Sequence, residues 1–162
     1  MDQDTNNTTP VTRALDALNV PYQFFRHPGQ VRSLEQAARE RGQRPDQIVR
    51  SIVFRLPEEE FIMVLVAGPE QISWHDLREY LGLSRMTMAN KEQVLERTGF
   101  PPGAVSPFGL PQPMRILVDK SVLQEEIVSI GSGVRNTTVI LRRDDLMQAL
   151  GEVEVVTVSG AG

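Results

Sequence analysis

Thr98-Gly-Phe-Pro-Pro-Gly-Ala-Val-Ser-Pro-Phe-Gly109 is the stretch on which the reading of this chain turns. It follows directly on a helical pattern, Lys91–Thr98, which Asn90 caps and Gly99 ends. Pro101, Pro102 and Pro107 each fix φ near about −65°. Gly103 and Gly109 open backbone conformations and close approaches that other residues cannot reach. The result is a long, rigid loop, able to hold backbone N–H groups around a ligand carbonyl or phosphate. The same composition also describes a plain structural crossover, and composition alone favours that reading.

Outward from the loop, the pattern is mixed. Towards the N-terminus, Trp74, Leu77 and Leu81 share one helical face that Gly82 stops, and Met86 and Met88 fall in a short strand pattern over Ser84–Ala89, where both read as packing residues. Arg50–Leu56 and Phe61–Val66 are apolar runs joined by the polar turn Pro57-Glu-Glu-Glu60. They predict a hairpin whose second strand is buried on both faces. Ser33 caps a helix carrying Leu34, Ala37 and Ala38, Pro21–Phe25 is a strand candidate, and Thr9-Pro10 opens a helix through Leu18. Towards the C-terminus come strand patterns at Arg115–Val118, Ile127–Ile130 and Thr137–Leu141, a helix at Asp144–Leu150 and a last strand at Val153–Val158. Short connections and the hairpin argue against regular βαβ winding. The expected fold is a single α+β domain, residues 9–158, with a mixed, mostly antiparallel, barrel-like sheet surrounded by helices. Residues 1–8 are expected to form a disordered tail and residues 159–162 a frayed one.

Composition narrows the function classes. The 162 residues carry a net charge of −4, which disfavours strong non-specific binding to nucleic acid, DNA included, yet allows a local contact with the end of one. No apolar run approaches the ~20 residues of a membrane helix, and Met1–Thr9 has neither the basic nor the apolar part of a signal peptide. There is no cysteine, which excludes thiolate nucleophiles and fits a reducing, cytoplasmic compartment. The two histidines, His27 and His75, lack metal-ligand spacing, so neither a metal nor a cofactor is expected.

Several stretches in order resemble the YbaK/prolyl-tRNA-synthetase-associated (INS-like) family of aminoacyl-tRNA editing domains. They are a helix ending in Thr98-Gly99, the Gly-x-x-x-Pro element Gly103-Ala-Val-Ser-Pro107 and Phe108-Gly109. His27-Pro28 before Glu35-Gln-Ala-Ala38, the strand Gln47–Phe54, Leu81-Gly-Leu83, the Asp119 region, and Ser129–Gly133 before Asp144-Asp-Leu146 also agree. The resemblance covers about residues 10–150. It implies a free-standing, trans-editing deacylase that takes the acceptor end of a mischarged tRNA, of the tRNA-Pro type, and hydrolyses the aminoacyl ester. In that picture the backbone of Gly103 and Ala104 stabilises oxyanion charge, and Arg50 anchors the acceptor end. Ser51, Val105, Ser106, Pro107 and Phe108 border the substrate, with Gly131, Ser132, Gly133 and His27 as further pocket candidates. A synthetase partner is conceivable and has no motif to support it.

The family pattern places lysine where this chain has Arg50, and often Gly-Gly where it has Gly103-Ala104. A guanidinium keeps the charge and adds a planar fork, but it cannot act as a base. Two rivals therefore stand beside the deacylase: a catalytically inactive module that binds aminoacyl-tRNA, and a regulator that binds a free amino acid or nucleotide. Each candidate also has a bland reading. Without the family Arg50 reads as a solvated strand end and His27 as a surface or packing residue, and Gly131–Gly133 reads equally as a hairpin turn. Ser106, with no His/Asp partner, reads as a backbone-positioning residue, and Asp119 as a cap or turn residue.

Overall fold

The computed structural model describes residues 7–160. The tail expected over residues 1–8 therefore lies outside the described residues except for Asn7 and Thr8. Among the described residues five α-helices form: α1 Pro10–Ala17, α2 Leu34–Arg41, α3 Trp74–Leu81, α4 Lys91–Thr98 and α5 Arg143–Leu150. Eight strands accompany them: β1 Gln23–Arg26, β2 Val49–Leu56, β3 Glu60–Ala67, β4 Thr87–Met88, β5 Arg115–Asp119, β6 Ile127–Gly131, β7 Thr137–Arg142 and β8 Glu154–Val156. The first four helices open where the sequence predicts, because the side chains of Thr9, Ser33, Ser73 and Asn90 accept from backbone N–H groups of the first turn.

The strands form two sheets, ordered β1-β7-β6 and β4-β2-β3-β5-β8. Four of the six pairings are antiparallel, while β3–β5 and β5–β8 run parallel. The barrel-like arrangement stays open: the sheets meet at one isolated bridge, Ile48 beside Ser129, instead of closing. Both residues of that bridge line a cleft between the sheets.

β3 shows why its sequence is almost continuously apolar. Met63, Leu65 and Ala67 enter the core that also holds β6, β7 and α1, while Ile62, Val64 and Val66 enter a second core under α3. The period of two divides β2 in the same way. Val49 and Val53 face the first core, and Phe54 and Leu56 the second. Met86 and Met88 do not behave alike: Met86 is buried but Met88 is 53% exposed. Only Thr87–Met88 is strand, so the alternation expected over Ser84–Ala89 has no length to operate on.

The C-terminal end is tied down as far as it is described. Asp119, at the end of β5, is fully buried and accepts from Val158 N at 2.7 Å, Ser121 N at 2.9 Å and Ser159 Oγ at 2.6 Å. Gly160 N donates to Gln71 O at 3.2 Å. Ser159 and Gly160 are thus held, where a frayed tail is expected from sequence. Burial pushes the Asp119 carboxyl up, but the hydrogen bonds from Ser121, Ser159 and Val158 outweigh it and hold it below the usual range. A depressed carboxylate contributes stability above its unfolded value of about 3.9, and that stability is lost as pH falls through the folded value. Asp119→Ala should cost about 2–4 kcal/mol, because it leaves the Val158 N–H buried without an acceptor. Urea unfolding at pH 7 and pH 3 checks this: the deficit should be large at pH 7 and shrink in acid.

Candidate functional site

A cleft of about 360 Å³ opens between α2, the start of β2, the end of β6, the start of β7 and the loop at Gly103. Its walls carry Leu34, Ala37 and Arg41 from α2, Arg50 and Ser51 from β2, Gly103 and Val105 from the loop, and Ser129 to Gly131 from β6. Two guanidinium groups line it and no carboxylate does. A smaller, apolar hollow of about 230 Å³ adjoins, sharing Ser51, Gly103 and Val105 and extending over Val53, Met88, Val94 and Pro102. Gly103 and Ser51 therefore stand where the two spaces meet.

The loop is fixed from both ends. Thr98 Oγ1 donates to Val94 O at 2.6 Å and accepts from Phe100 N at 3.0 Å, which sets the direction in which the chain leaves α4. Phe100 and Phe108 are buried in the core on either side of the turn. Ser106 is fully buried and its Oγ accepts from Phe108 N at 3.2 Å, so it shapes the backbone. The end of β6 clamps the middle: Gly133 N donates to Ala104 O at 2.9 Å. Gly131 lies so close that a Cβ there would sit 2.1 Å from Val105 O. Gly103 has φ +90°, a backbone that L side chains rarely adopt, although a Cβ would meet nothing within 4 Å. Its role is thus conformational.

The hydrogen-bond ledger of the cleft shows what is left for a ligand. Ala104 N donates to Pro101 O at 3.1 Å, which removes it as an oxyanion donor, and the residue is 1% exposed. Gly103 N and Val105 N have no acceptor among the described residues. Most hydroxyls in the walls are committed: Thr138 Oγ1 donates to Ile130 O, Thr137 Oγ1 to Val134 O, Ser129 Oγ accepts from Arg41, and Ser33 Oγ caps α2. Ser51 Oγ is the exception, buried and without a partner. Arg50 Nη2 donates to Glu70 O, while its Nε is buried and unpartnered. Burial pushes the Arg50 guanidinium below its usual value. Such free donors beside a fixed backbone loop suit an ester carbonyl or a phosphate oxygen.

The family model described as an aminoacyl-tRNA editing domain matches residues 28–149. The chain belongs to the aminoacyl-tRNA editing domain family. It is similar to proline–tRNA ligase of Thermosipho melanesiensis, 30% identical over 133 residues that make up 80% of this chain and 23% of that protein. It therefore spans less than a quarter of that ligase. The uncharacterized protein YwhH of Bacillus subtilis is 30% identical over 116 residues, 72% of this chain and 73% of YwhH. A solved structure described as "a putative trans-editing enzyme for prolyl tRNA synthetase" superposes with a TM-score of 0.85 at 25% identity, covering 94% of this chain and 96% of that one.

Within this editing domain the residues expected from sequence part into two groups. Arg50, Ser51, Gly103, Val105 and Gly131 line the cleft. Ala104, Ser106, Pro107 and Phe108 are buried supports of the loop and do not line it. Ser132 is also buried, bonded to Val134 O at 3.0 Å and to Thr137, and Gly133 packs on Phe100. His27 lies outside the cleft walls: its Nδ1 meets Glu40 Oε1 at 2.5 Å and its Nε2 accepts from Arg41 Nε at 3.1 Å. Arg41 itself is the residue that sequence reading passes over. An arginine in the last turn of a helix is what the helix dipole favours anyway, so nothing in the sequence marks it. Among the described residues no group of three His, Cys, Asp or Glu is placed to hold a metal. No described helix is long and apolar enough to cross a membrane.

Proposed function

We propose that this editing domain is an aminoacyl-tRNA deacylase acting in trans, which hydrolyses the ester of a mischarged tRNA of the tRNA-Pro type. The observation that carries the reading is the meeting point of the two cavities. There the unpaired N–H groups of Gly103 and Val105 lie on a clamped loop beside the unpaired Ser51 hydroxyl. An ester placed at this point has fixed donors for the charge that develops on its carbonyl oxygen, with no reorganisation needed at the moment of reaction. The oxyanion role expected of Ala104 passes to Gly103 and Val105. The water nucleophile needs no metal in this scheme, and the ribose hydroxyl of the substrate assists it. The similarity to proline–tRNA ligases and to the trans-editing structure supports the tRNA class and action in trans.

A second reading, an inactive module that binds aminoacyl-tRNA, draws on one observation. The head of Arg50, where the family pattern has lysine, is turned to the Glu70 carbonyl. Hydrolysis of a panel of mischarged tRNAs by the purified protein decides between them. Turnover of at least one ester above the spontaneous rate is expected; binding without turnover establishes the second reading.

A further inference from the structure

Arg41 carries an unspent capacity. It projects from the last turn of α2 into the walls of the cleft, where its Nη1 donates to Ser129 Oγ at 2.9 Å and its Nε to His27 Nε2 at 3.1 Å. Ser129 is fully buried and forms the bridge to Ile48, so this contact puts the guanidinium against the point where the two sheets meet. Because Nε2 of His27 accepts, the ring proton sits on Nδ1, facing Glu40. Both partners of Arg41 are thus uncharged acceptors, and its Nη2 has no acceptor among the described residues. Burial pushes the guanidinium down to about 10, with Glu40 opposing from behind the imidazole. The cation is held and desolvated, with both hydrogens of its Nη2 left without an acceptor among the described residues, in a cavity lined by no carboxylate.

We propose that Arg41 is a specificity-determining residue, selecting an aminoacyl group whose side chain carries an oxygen acceptor, hydroxyl or carboxylate, over one that is purely aliphatic. The inference rests on the deacylase reading for its substrate. With the carbonyl at Gly103, an aminoacyl side chain lodged in the same cleft has Leu34, Ala37, Arg41 and Ser129 among its wall residues. An aliphatic group there displaces water from the guanidinium and returns no acceptor. A site built to hydrogen-bond an oxygen rejects the analogue lacking it far more strongly than an apolar pocket rejects one methylene. A carboxylate adds charge to the same contact through the arginine fork.

The test compares kcat/KM for seryl, aspartyl and alanyl esters of one tRNA, with the natural protein, Arg41→Met and Arg41→Lys. Amide-linked aminoacyl-adenosine analogues, which cannot be hydrolysed, are titrated in parallel by calorimetry. The natural protein should favour the seryl or aspartyl compound over the alanyl one by at least about tenfold. The two oxygen-bearing arms say whether a hydroxyl or a carboxylate is the better fit. Arg41→Met should collapse the ratio while retaining the alanyl substrate, and Arg41→Lys should keep part of it. A mere latch between α2 and β6 would lower all three esters alike, and that result overturns the proposal. Alanyl preference in the natural protein overturns it too, as does failure of every analogue to bind. Oxygen preference in binding without any ester cleavage upholds the proposal and sinks the deacylase reading alone.

Discussion

Gly131→Ala should lower deacylation by about 100-fold or more and destabilise the protein by about 1–3 kcal/mol. A Cβ at this position would lie 2.1 Å from Val105 O, 2.8 Å from Val105 C and 2.9 Å from Ala104 C. All three are backbone atoms, so no rotamer change relieves the overlap. Either the loop lifts from β6 or the end of β6 bends away, and both routes weaken the bond from Gly133 N to Ala104 O. The N–H groups of Gly103 and Val105 would then leave their positions beside Ser51. Urea melts and single-turnover hydrolysis together check the result. Wild-type stability with wild-type turnover would mean that the loop tolerates displacement and that its position does not matter. Gly103→Ala is the informative companion. It meets open space, so any loss there reports the strain of φ +90° and not a collision.

That contrast between two glycines shows where sequence reading stops. Gly103 is legible, because prolines on both sides of it announce a fixed loop that needs an unusual backbone. Gly131 is visible only as part of a turn, since the partner that demands it, Val105 O, lies 26 positions away in the chain. The helices and strands were readable for a related reason. Side-chain caps and periodicity are local signals, and Ser33, Ser73 and Asn90 act within three residues of themselves. The opening between the two sheets is not local, so a barrel-like sheet was the natural expectation from a string of short strands.

The candidate site divides along the same line. The loop motif brings Gly103 to Phe108 into view together, but four of these six residues are internal scaffolding. Pro107 and Phe108 are buried, Ser106 braces the turn, and the Ala104 N–H is spent on Pro101. Neighbours in sequence likewise part at β2. Ser51 shares the face of Val49 and Val53 and reaches both cavities, whereas Arg50 falls on the alternate face and borders only the larger one. Arg41 belongs to the site through a helix face and a distant strand, a combination that no local pattern encodes.

Arg50→Ala should then reduce turnover by about 100- to 1000-fold while leaving the thermal midpoint nearly unchanged. Its side chain makes one described contact, to the Glu70 carbonyl, and losing a half-buried bond of that kind costs only about 1 kcal/mol. What the variant removes is charge. Burial depresses the guanidinium with no carboxylate to offset it, and its Nε lies buried and unpaired. The cation is therefore held at a cost to folding that binding of an oxygen anion or carbonyl would relieve. Arg50→Lys separates the two ways it can act. If the field of a cation suffices, lysine retains much of the activity that alanine loses. If the planar fork is needed, lysine fails with alanine. Should the natural protein be silent and only Arg50→Lys hydrolyse the ester, the fold has kept its cleft for binding and relinquished the chemistry. Turnover unchanged in Arg50→Ala would remove Arg50 from the mechanism and leave Ser51 and the Gly103 and Val105 N–H groups as the polar contacts to the ester.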